Sequence, residues 1–307
     1  MIHFGMIHFY PLNLNHLNKS SIICNLGSGT YGKIKLYKCK EVHNGEIEEC
    51  SKYFVVKHLK CKKFWKYFDK NTEAKMIKSL FNEYKIGSLL HHPSIRETID
   101  IDLIDNCIIF EYCDGLNFFN YIMNNPNEKL VNINCDLYFY YKQIIEAINY
   151  IHNLHIAHLD LKLENIMINV ITKTVKLIDF GESRICINNK LNGIHGTIPY
   201  IAPEEFTDKE YDPFKIDIWA LGIILYDILY IQFPWKIAKK TDFKYKRFVT
   251  LYNDNFDKCL PSPIPCDILL NILKNTLNPN PEQRYNIGQI IKETTSQAQT
   301  TFNLKLI

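Results

Sequence analysis

The chain lacks an excess of charge of one sign. Its 307 residues hold 36 basic and 33 acidic side chains, a net +3. Proteins that work on nucleic acids or at membrane surfaces carry a strong basic surplus, so neither class is expected. Metal-binding cysteine spacing is missing too. Ten cysteines are scattered without one CxxC pair, and neither Cys39 with Cys50 nor Cys259 with Cys266 is spaced as a zinc site. Reduced thiols in a cytoplasmic protein are expected, with nuclear access open. The opening MIHFGMIHFYPLN has no Lys or Arg ahead of its apolar residues and no small-residue cleavage site, unlike a secretory signal. The longest apolar run, Ile216 to Trp235, contains Asp217 and Asp227, which are costly in lipid. It predicts a helix buried inside a helical domain, and no transmembrane segment. Internal repeats and low-complexity linkers are also absent.

What is present is globular: 47% hydrophobic and 22% charged residues, at a length that suits one large domain or two lobes sharing a cleft. From Ser21 to Lys60 the pattern alternates. SIICNLG, GKIKLYKC and KYFVVKHL predict three antiparallel strands, turning at the glycines and at HNGE. Glu73 to Leu90 has helical periodicity, with Met76, Leu80 and Tyr84 on one side, and HHP stops it. IDLIDNCIIFEYC adds two strands, which makes a five-stranded antiparallel sheet with one main helix. Beyond Gly115 long amphipathic runs dominate: Leu137–Leu154, Pro213–Tyr230, Asp267–Thr276 and Asn286–Thr294. The expected class is α+β with two lobes. The division runs as an N-terminal extension (1–20), a strand-rich lobe (21–115), a mostly helical lobe (116–294) and a C-terminal tail (295–307).

The glycine stretch GSGTYG supplies Gly27, Ser28, Gly29, Thr30 and Gly32. Alone it is a weak signal, because dinucleotide-binding folds use the same spacing. In those folds, however, the glycines open a helix. Here KIKLYKCK follows, and it alternates as a strand does. Bare backbone in such a hairpin suits close approach to phosphates. Lys57, on the apolar strand FVVKHL, needs an anionic partner if buried. Glu83 on the following helix is the best-placed acid, while Glu73 nearer the helix start suits a dipole-stabilised carboxylate. The basic run from Lys57 to Lys70 reads more simply as a solvated connection than as a nucleic-acid site. Downstream, HLDLKLEN and then KLIDFGES place Asp160, Lys162, Asn165 and Asp179 on loops between short apolar strands. Phosphoryl transfer needs such a set: one carboxylate to accept a hydroxyl proton, two oxygen ligands for Mg²⁺, and a cation near the transferring group.

In this order the motifs resemble those of eukaryotic-type protein kinases, from about Ser21 to Thr294. GSGTYG is similar to the glycine-rich loop, VVK to the strand carrying the ATP-binding lysine, Glu83 to the paired helix acid and HLDLKLEN to the catalytic loop. DFG at Asp179–Gly181 and APE at Ala202–Glu204 are intact. The resemblance implies a bilobal kinase fold, ATP with Mg²⁺ (or Mn²⁺) as cofactors, and protein substrates. It also implies backbone contacts from Glu111 and Cys113 to adenine, with Phe110 guarding the back of the nucleotide pocket. Asn117 stands where many kinases place an acid for the ribose. Asp217 would brace the catalytic loop and Arg284 would pair with Glu204. Lys162 and Thr197 resemble the serine/threonine class, with Thr197 supporting Asp160 and Lys162. HHPSIRETIDI, the Tyr200–Leu229 stretch and FPWKIA resemble the fungal nutrient-permease-reactivator and halotolerance kinases, which implies a link to transporters.

Leu159 stands where that catalytic loop usually has the Arg that grips an activation-segment phosphate. From Glu182 to Gly196 the segment ESRICINNKLNGIHG holds one hydroxyl residue, Ser183. The expectation is an active kinase not gated by phosphorylation there, with a nucleotide-binding pseudokinase or scaffold as the alternative. An NAD(P)-binding enzyme would rest on the glycines alone. Glu164 could read a basic residue before the phosphoacceptor, and KIAKKTDFKYKR could instead favour acidic groups or be a solvated helix face. Oligomeric state is left open.

Overall fold

The computed structural model describes residues 20–28, 32–43, 46–59, 70–125, 136–264 and 266–303. Gly29, Thr30, the side chains of Ser28 and Glu73, the tip of the HNGE turn, most of the basic run and nearly all of the N-terminal extension lie outside them. Packing divides the chain into two compact units, within Met1–Leu90 with Glu97–Tyr112, and within His91–Arg96 with Cys113–Ile307.

The first unit is an antiparallel sheet with a helix against it. Its strands are β1 (Ser21–Ser28), β2 (Gly32–His43), β3 (Glu46–Leu59), β4 (Thr98–Asp102) and β5 (Cys107–Glu111), in the order β1-β2-β3-β5-β4. Two-residue periodicity sorts the side chains. Val55 and Leu59 of β3 join Ile108 and Phe110 of β5 on one face, while Val56, Cys107 and Ile109 pack on the other with Tyr37. The first face meets helix α1 (Lys70–Gly87) through Met76 and Leu80. Strand β3 begins at Glu46, earlier than its sequence pattern predicts, because EIEEC pairs with β2 from His43↔Glu46 to Lys40↔Glu49. Cross-strand pairing overrides the weak strand preference of those glutamates. Helix α1 begins at Lys70 and ends at Gly87, earlier than expected. Bonds from Leu89 N–H to Ile86 O and from Leu90 N–H to Gly87 O tighten the chain out of the α-helix. A side chain at 87 would collide with Thr98 of β4, so helix and sheet meet there only over glycine.

The second unit is mostly helical. It holds β6 (Leu116–Asn117), α2 (Phe118–Asn124), α3 (Asp136–Asn153), β7 (Ile156–Ala157), β8 (Ile166–Asn169), β9 (Thr174–Leu177) and β10 (Arg184–Ile185). Helices α4 (Pro213–Tyr230), α5 (Phe243–Tyr252), α6 (Asp267–Thr276) and α7 (Ile287–Asn303) follow. Strands β6-β8-β9 form one small sheet and β7-β10 another. Helix α4 is the axis of this unit, because every residue from Ile216 to Leu229 is buried. Asp212 caps it by accepting the Phe214 N–H, and Pro213 occupies the first turn, where no N–H is needed. No helix among the described residues is long and apolar enough to cross a membrane.

One buried ion pair ties the loop after residue 200 to the end of the domain. The Arg284 guanidinium donates to both Glu204 oxygens, at 2.6 and 3.0 Å, and to the Asn278 and Lys215 carbonyls. It also lies 4.8 Å from the centre of the Trp219 ring. Desolvation makes such a pair hard to break by halves, since either partner alone is a buried uncompensated charge. Arg284→Met should therefore lower unfolding stability by about 3–5 kcal/mol, read from denaturant midpoints. A shift within the error of the wild-type curve would contradict this.

Candidate active site

Alternation along β3 decides where Lys57 goes. It shares a face with Val55 and Leu59, so it points toward α1, where Glu83 extends the buried stripe of Met76 and Leu80. Lys57 Nζ donates to Glu83 Oε1 at 2.9 Å and Oε2 at 2.8 Å, and the Glu83 side chain is only 4% exposed. The competing acid, Glu73, has its side chain outside the described residues. Gly27 and Ser28 end β1 and Gly32 begins β2, in register Gly27↔Ile34 and Ser28↔Lys33. The glycines thus join antiparallel strands and open no helix. Glu111 closes β5, its N–H donating to Glu97 O and its Oε1 accepting the Glu97 N–H. Cys113 begins the longer of the two stretches that make up the second unit. The Asn117 side chain is engaged in capping α2 through the Asn120 N–H.

In the second unit, the catalytic-loop residues converge on Asp160. Its Oδ1 accepts the Thr197 hydroxyl at 2.8 Å, and its Oδ2 accepts Lys162 Nζ at 2.6 Å. Lys162 also donates to Thr197 Oγ1 at 2.8 Å, closing a three-membered ring of bonds. Asn165 Nδ2 donates to the Asp160 carbonyl at 2.8 Å and to Oδ2 at 3.2 Å. The amide nitrogen is thereby engaged, which makes Oδ1 the atom of Asn165 fit to ligate a cation. Asp179 sits in left-handed backbone at φ 64°, and the buried Phe180 ring packs 5.0 Å from the His158 ring. Two oxygen-bearing side chains, Asn165 and Asp179, match the chemistry of Mg²⁺, which takes few protein ligands and completes its shell with water and phosphate.

Three deeper contacts hold this loop. Asp217 of α4, fully buried, accepts the His158 N–H at 2.8 Å, the Leu159 N–H at 2.9 Å and His152 Nε2 at 2.8 Å. His158 is itself buried, and burial holds its imidazole below the ordinary histidine value. Its Nδ1 accepts the Asp160 N–H while Nε2 faces the Ile178 carbonyl, an arrangement only the neutral Nε2–H ring satisfies. Gly196 supplies the third contact. It adopts φ +81°, and a side chain there would strike the Leu159 carbonyl.

Leu159 is buried, and Ser183 is fully buried with its hydroxyl donating to the His158 carbonyl at 3.1 Å. The intervening segment is anchored at intervals. Arg184 and Ile185 pair with Ala157 and Ile156, Leu191 exchanges backbone bonds with Tyr211, and the Tyr211 hydroxyl bonds to the Gly193 carbonyl.

Two residues here were invisible to motif reading. Glu205, directly after the APE glutamate, accepts the His195 N–H at 2.9 Å and the Ala202 N–H at 3.1 Å. Burial pushes its carboxyl up to about 7, against the pull of those two N–H groups. Asp227, on the apolar helix α4, keeps Oδ2 buried without a partner, as Glu164 keeps Oε2. Burial first, and then Glu164, pushes Asp227 up to about 6. A charge retained inside an apolar helix was the available signal for Asp227. For Glu205 there was none, since a second glutamate after APE looks like surface.

The sequence matches the protein kinase domain over residues 21–295, and the chain belongs to that family. Its relatives include named serine/threonine kinases of fungi, which place it in the serine/threonine class. It is 29% identical to the serine/threonine-protein kinase hal4 of Schizosaccharomyces pombe over 277 residues, 87% of this chain and 41% of that protein. It is 36% identical to the serine/threonine-protein kinase PRR2 of Saccharomyces cerevisiae over 236 residues, 73% of this chain and 30% of the other. Identity to the nitrogen permease reactivator protein of the same yeast is 33% over 263 residues, 83% of this chain and 29% of the other. The chain thus spans less than half the length of these relatives.

Glu205 gives a spectroscopic prediction. Its side-chain carboxyl carbon, assigned by comparison with Glu205→Gln, should titrate with a midpoint near 7 by NMR. A midpoint near the ordinary 4.5 would mean that the carboxyl is solvated and not held inside the loop.

Proposed function

We propose that this chain is an ATP-dependent kinase that transfers the γ-phosphoryl of Mg-ATP to serine and threonine hydroxyls of proteins, without gating by activation-segment phosphorylation. The observation that carries the reading is the assembled Asp160–Lys162–Thr197 ring beside a segment whose one hydroxyl residue, Ser183, is buried in a bond to His158. Glu205 and Tyr211 hold the segment by bonds that need no phosphate. A pseudokinase fits less well, because each charged group the chemistry requires is present.

In this mechanism Asp160 orients the substrate hydroxyl and accepts its proton as the oxygen attacks. Lys162 and Thr197 fix the carboxylate, and Lys162 offsets charge on the moving phosphoryl group. Lys57, steadied by Glu83, binds the nucleotide phosphates. Gly27, Ser28, Gly29, Thr30 and Gly32 would offer backbone to those phosphates, and Glu111 and Cys113 backbone to the adenine. Asn165 and Asp179 would hold Mg²⁺ (or Mn²⁺), which supplies neutralisation of phosphate charge. A cytoplasmic site of action, with nuclear access, accompanies this reading. The likeness to a protein named for reactivating a nitrogen permease makes transporters one substrate class to test.

Glu164 and Asp227 support a preference for substrates with a basic residue before the phosphoacceptor. Two carboxylates with unpartnered buried oxygens are a site for a guanidinium, which supplies paired donors in one plane.

Protein made in bacteria and stripped by phosphatase should phosphorylate generic peptides at the untreated rate, and Asp160→Asn should lower kcat by about 100-fold or more. Loss of activity on dephosphorylation would overturn the ungated reading, and an unchanged Asp160→Asn would overturn catalysis. Asp227→Asn should raise KM for arginine-bearing peptides by about tenfold or more and leave KM for arginine-free peptides unchanged. Its effect on stability should have the opposite sign. The buried carboxyl binds its proton more tightly when folded, so wild-type stability falls as pH rises from about 4 to about 6. Asp227→Asn should therefore melt above wild type at pH 8 and level with it at pH 4. Equal melting at both pH values would show that Asp227 carries no burial penalty.

A further inference from the structure

The basic stretch between residues 236 and 247 plays no part in the chemistry above, yet it borders a cavity of about 230 Å³. The cavity lies between the end of α4, the loop after it, α5 and the turn at Phe256–Cys259. Tyr226, Phe233, Trp235, Phe243 and Phe248 give it an aromatic lining. Its wall is rigid, because Trp235 packs on Tyr245 and Phe248 at ring separations of 5.0 and 4.8 Å, and Phe248 packs on Tyr252 and Phe256. Phe243 by contrast is 79% exposed, a large apolar side chain left in water at the rim.

The charged residues that line this cavity have one sign. Lys244 and Arg247 are three residues apart and share a face of α5, and Lys258 approaches from the turn. All three are exposed, and none forms an ion pair among the described residues. No acid among the described residues lines the cavity. Asp242, which caps α5, is occupied by the N–H groups of Lys236, Lys244 and Tyr245, and Asp257 stands in the turn beside Lys258, outside the lining.

We propose that this cavity is a docking site for an acidic protein segment carrying one apolar anchor, through which protein substrates are held apart from the phosphoacceptor. The volume falls below the roughly 300–1,000 Å³ of small-molecule pockets, and suits one side chain. Three unpaired cations around an aromatic hollow complement an anchor flanked by carboxylates, steering it by charge and retaining it by burial. A lipid surface fits less well, because the aromatic groups other than Phe243 line a concavity and do not project from a flat basic face. The proposal rests on the kinase reading, and its test separates the two.

The probe is a fluorescein-labelled peptide with one Phe between runs of Asp and Glu, measured by anisotropy against the full chain. Binding is expected, weakening with added salt and lost when the peptide Phe becomes Ala or when the protein carries Lys244→Glu with Arg247→Glu. Fusing the same acidic segment to a short phosphoacceptor peptide should lower KM by about tenfold, leave kcat unchanged, and lose that gain in the double variant. The unfused peptide should be phosphorylated equally by both proteins, which also shows that the variant is folded. Binding that ignores the Phe, or a KM that ignores the fusion, overturns the docking site. Binding of phosphatidylserine vesicles in place of the peptide, abolished by the same two changes, overturns it in favour of a membrane surface. Absence of any phosphorylation would count against the kinase reading, while the anisotropy result would still decide the docking site.

Discussion

The carboxylate of Asp217 is the constraint on which the second unit's chemistry rests. It sits on α4, the helix buried along nearly all its length, and accepts two successive backbone N–H groups, those of His158 and Leu159. Those bonds hold Leu159 at φ 66°, a backbone state that costs a branched residue about 1–2 kcal/mol. The turn so imposed aims Asp160 toward Lys162 and Thr197. A buried acid on a rigid helix thus fixes the geometry of a loop that has little regular structure of its own. Pairing with His152 completes its coordination and makes the arrangement tolerable inside an apolar core.

The same helix carries a second acid of opposite character. Asp217 is saturated with donors, whereas Asp227, ten residues on, keeps a buried oxygen without a partner. Saturation rigidifies, and an unsatisfied buried carboxylate holds free energy in reserve for a cation that arrives later. Glu205 lies between these extremes, bound by two backbone N–H groups yet raised to about 7 by burial. Three acids within one domain therefore have three uses, set by how many donors surround each.

The fold was largely legible in the sequence because periodicity is a local property. Alternation in β3 and β5 gave the two faces of the sheet, and the Asp and Pro at 212–213 marked the start of α4. What local pattern missed depended on distant partners. EIEEC became strand through pairing with β2, and α1 passes Thr98 of β4 at Gly87 too closely for any side chain. Of the site, the residues fixed by motif spacing could be named one by one: Asp160, Lys162, Asn165 and Thr197 converge, and Lys57 reaches Glu83. Glu205 escaped notice, and Asp227 was noticed only as a charge in an apolar run, because their importance lies in burial and donor count, which no spacing encodes.

Leu159 has a consequence for regulation. Its side chain is packed into the interior, 3% exposed, next to a segment without an accessible hydroxyl. Restoring arginine there alone would bury a cation with no phosphate to meet it. Adding a serine or threonine to residues 185–195 alone would create a phosphate with no arginine to receive it. Neither change is useful without the other, so phosphate gating through this segment would need both made together.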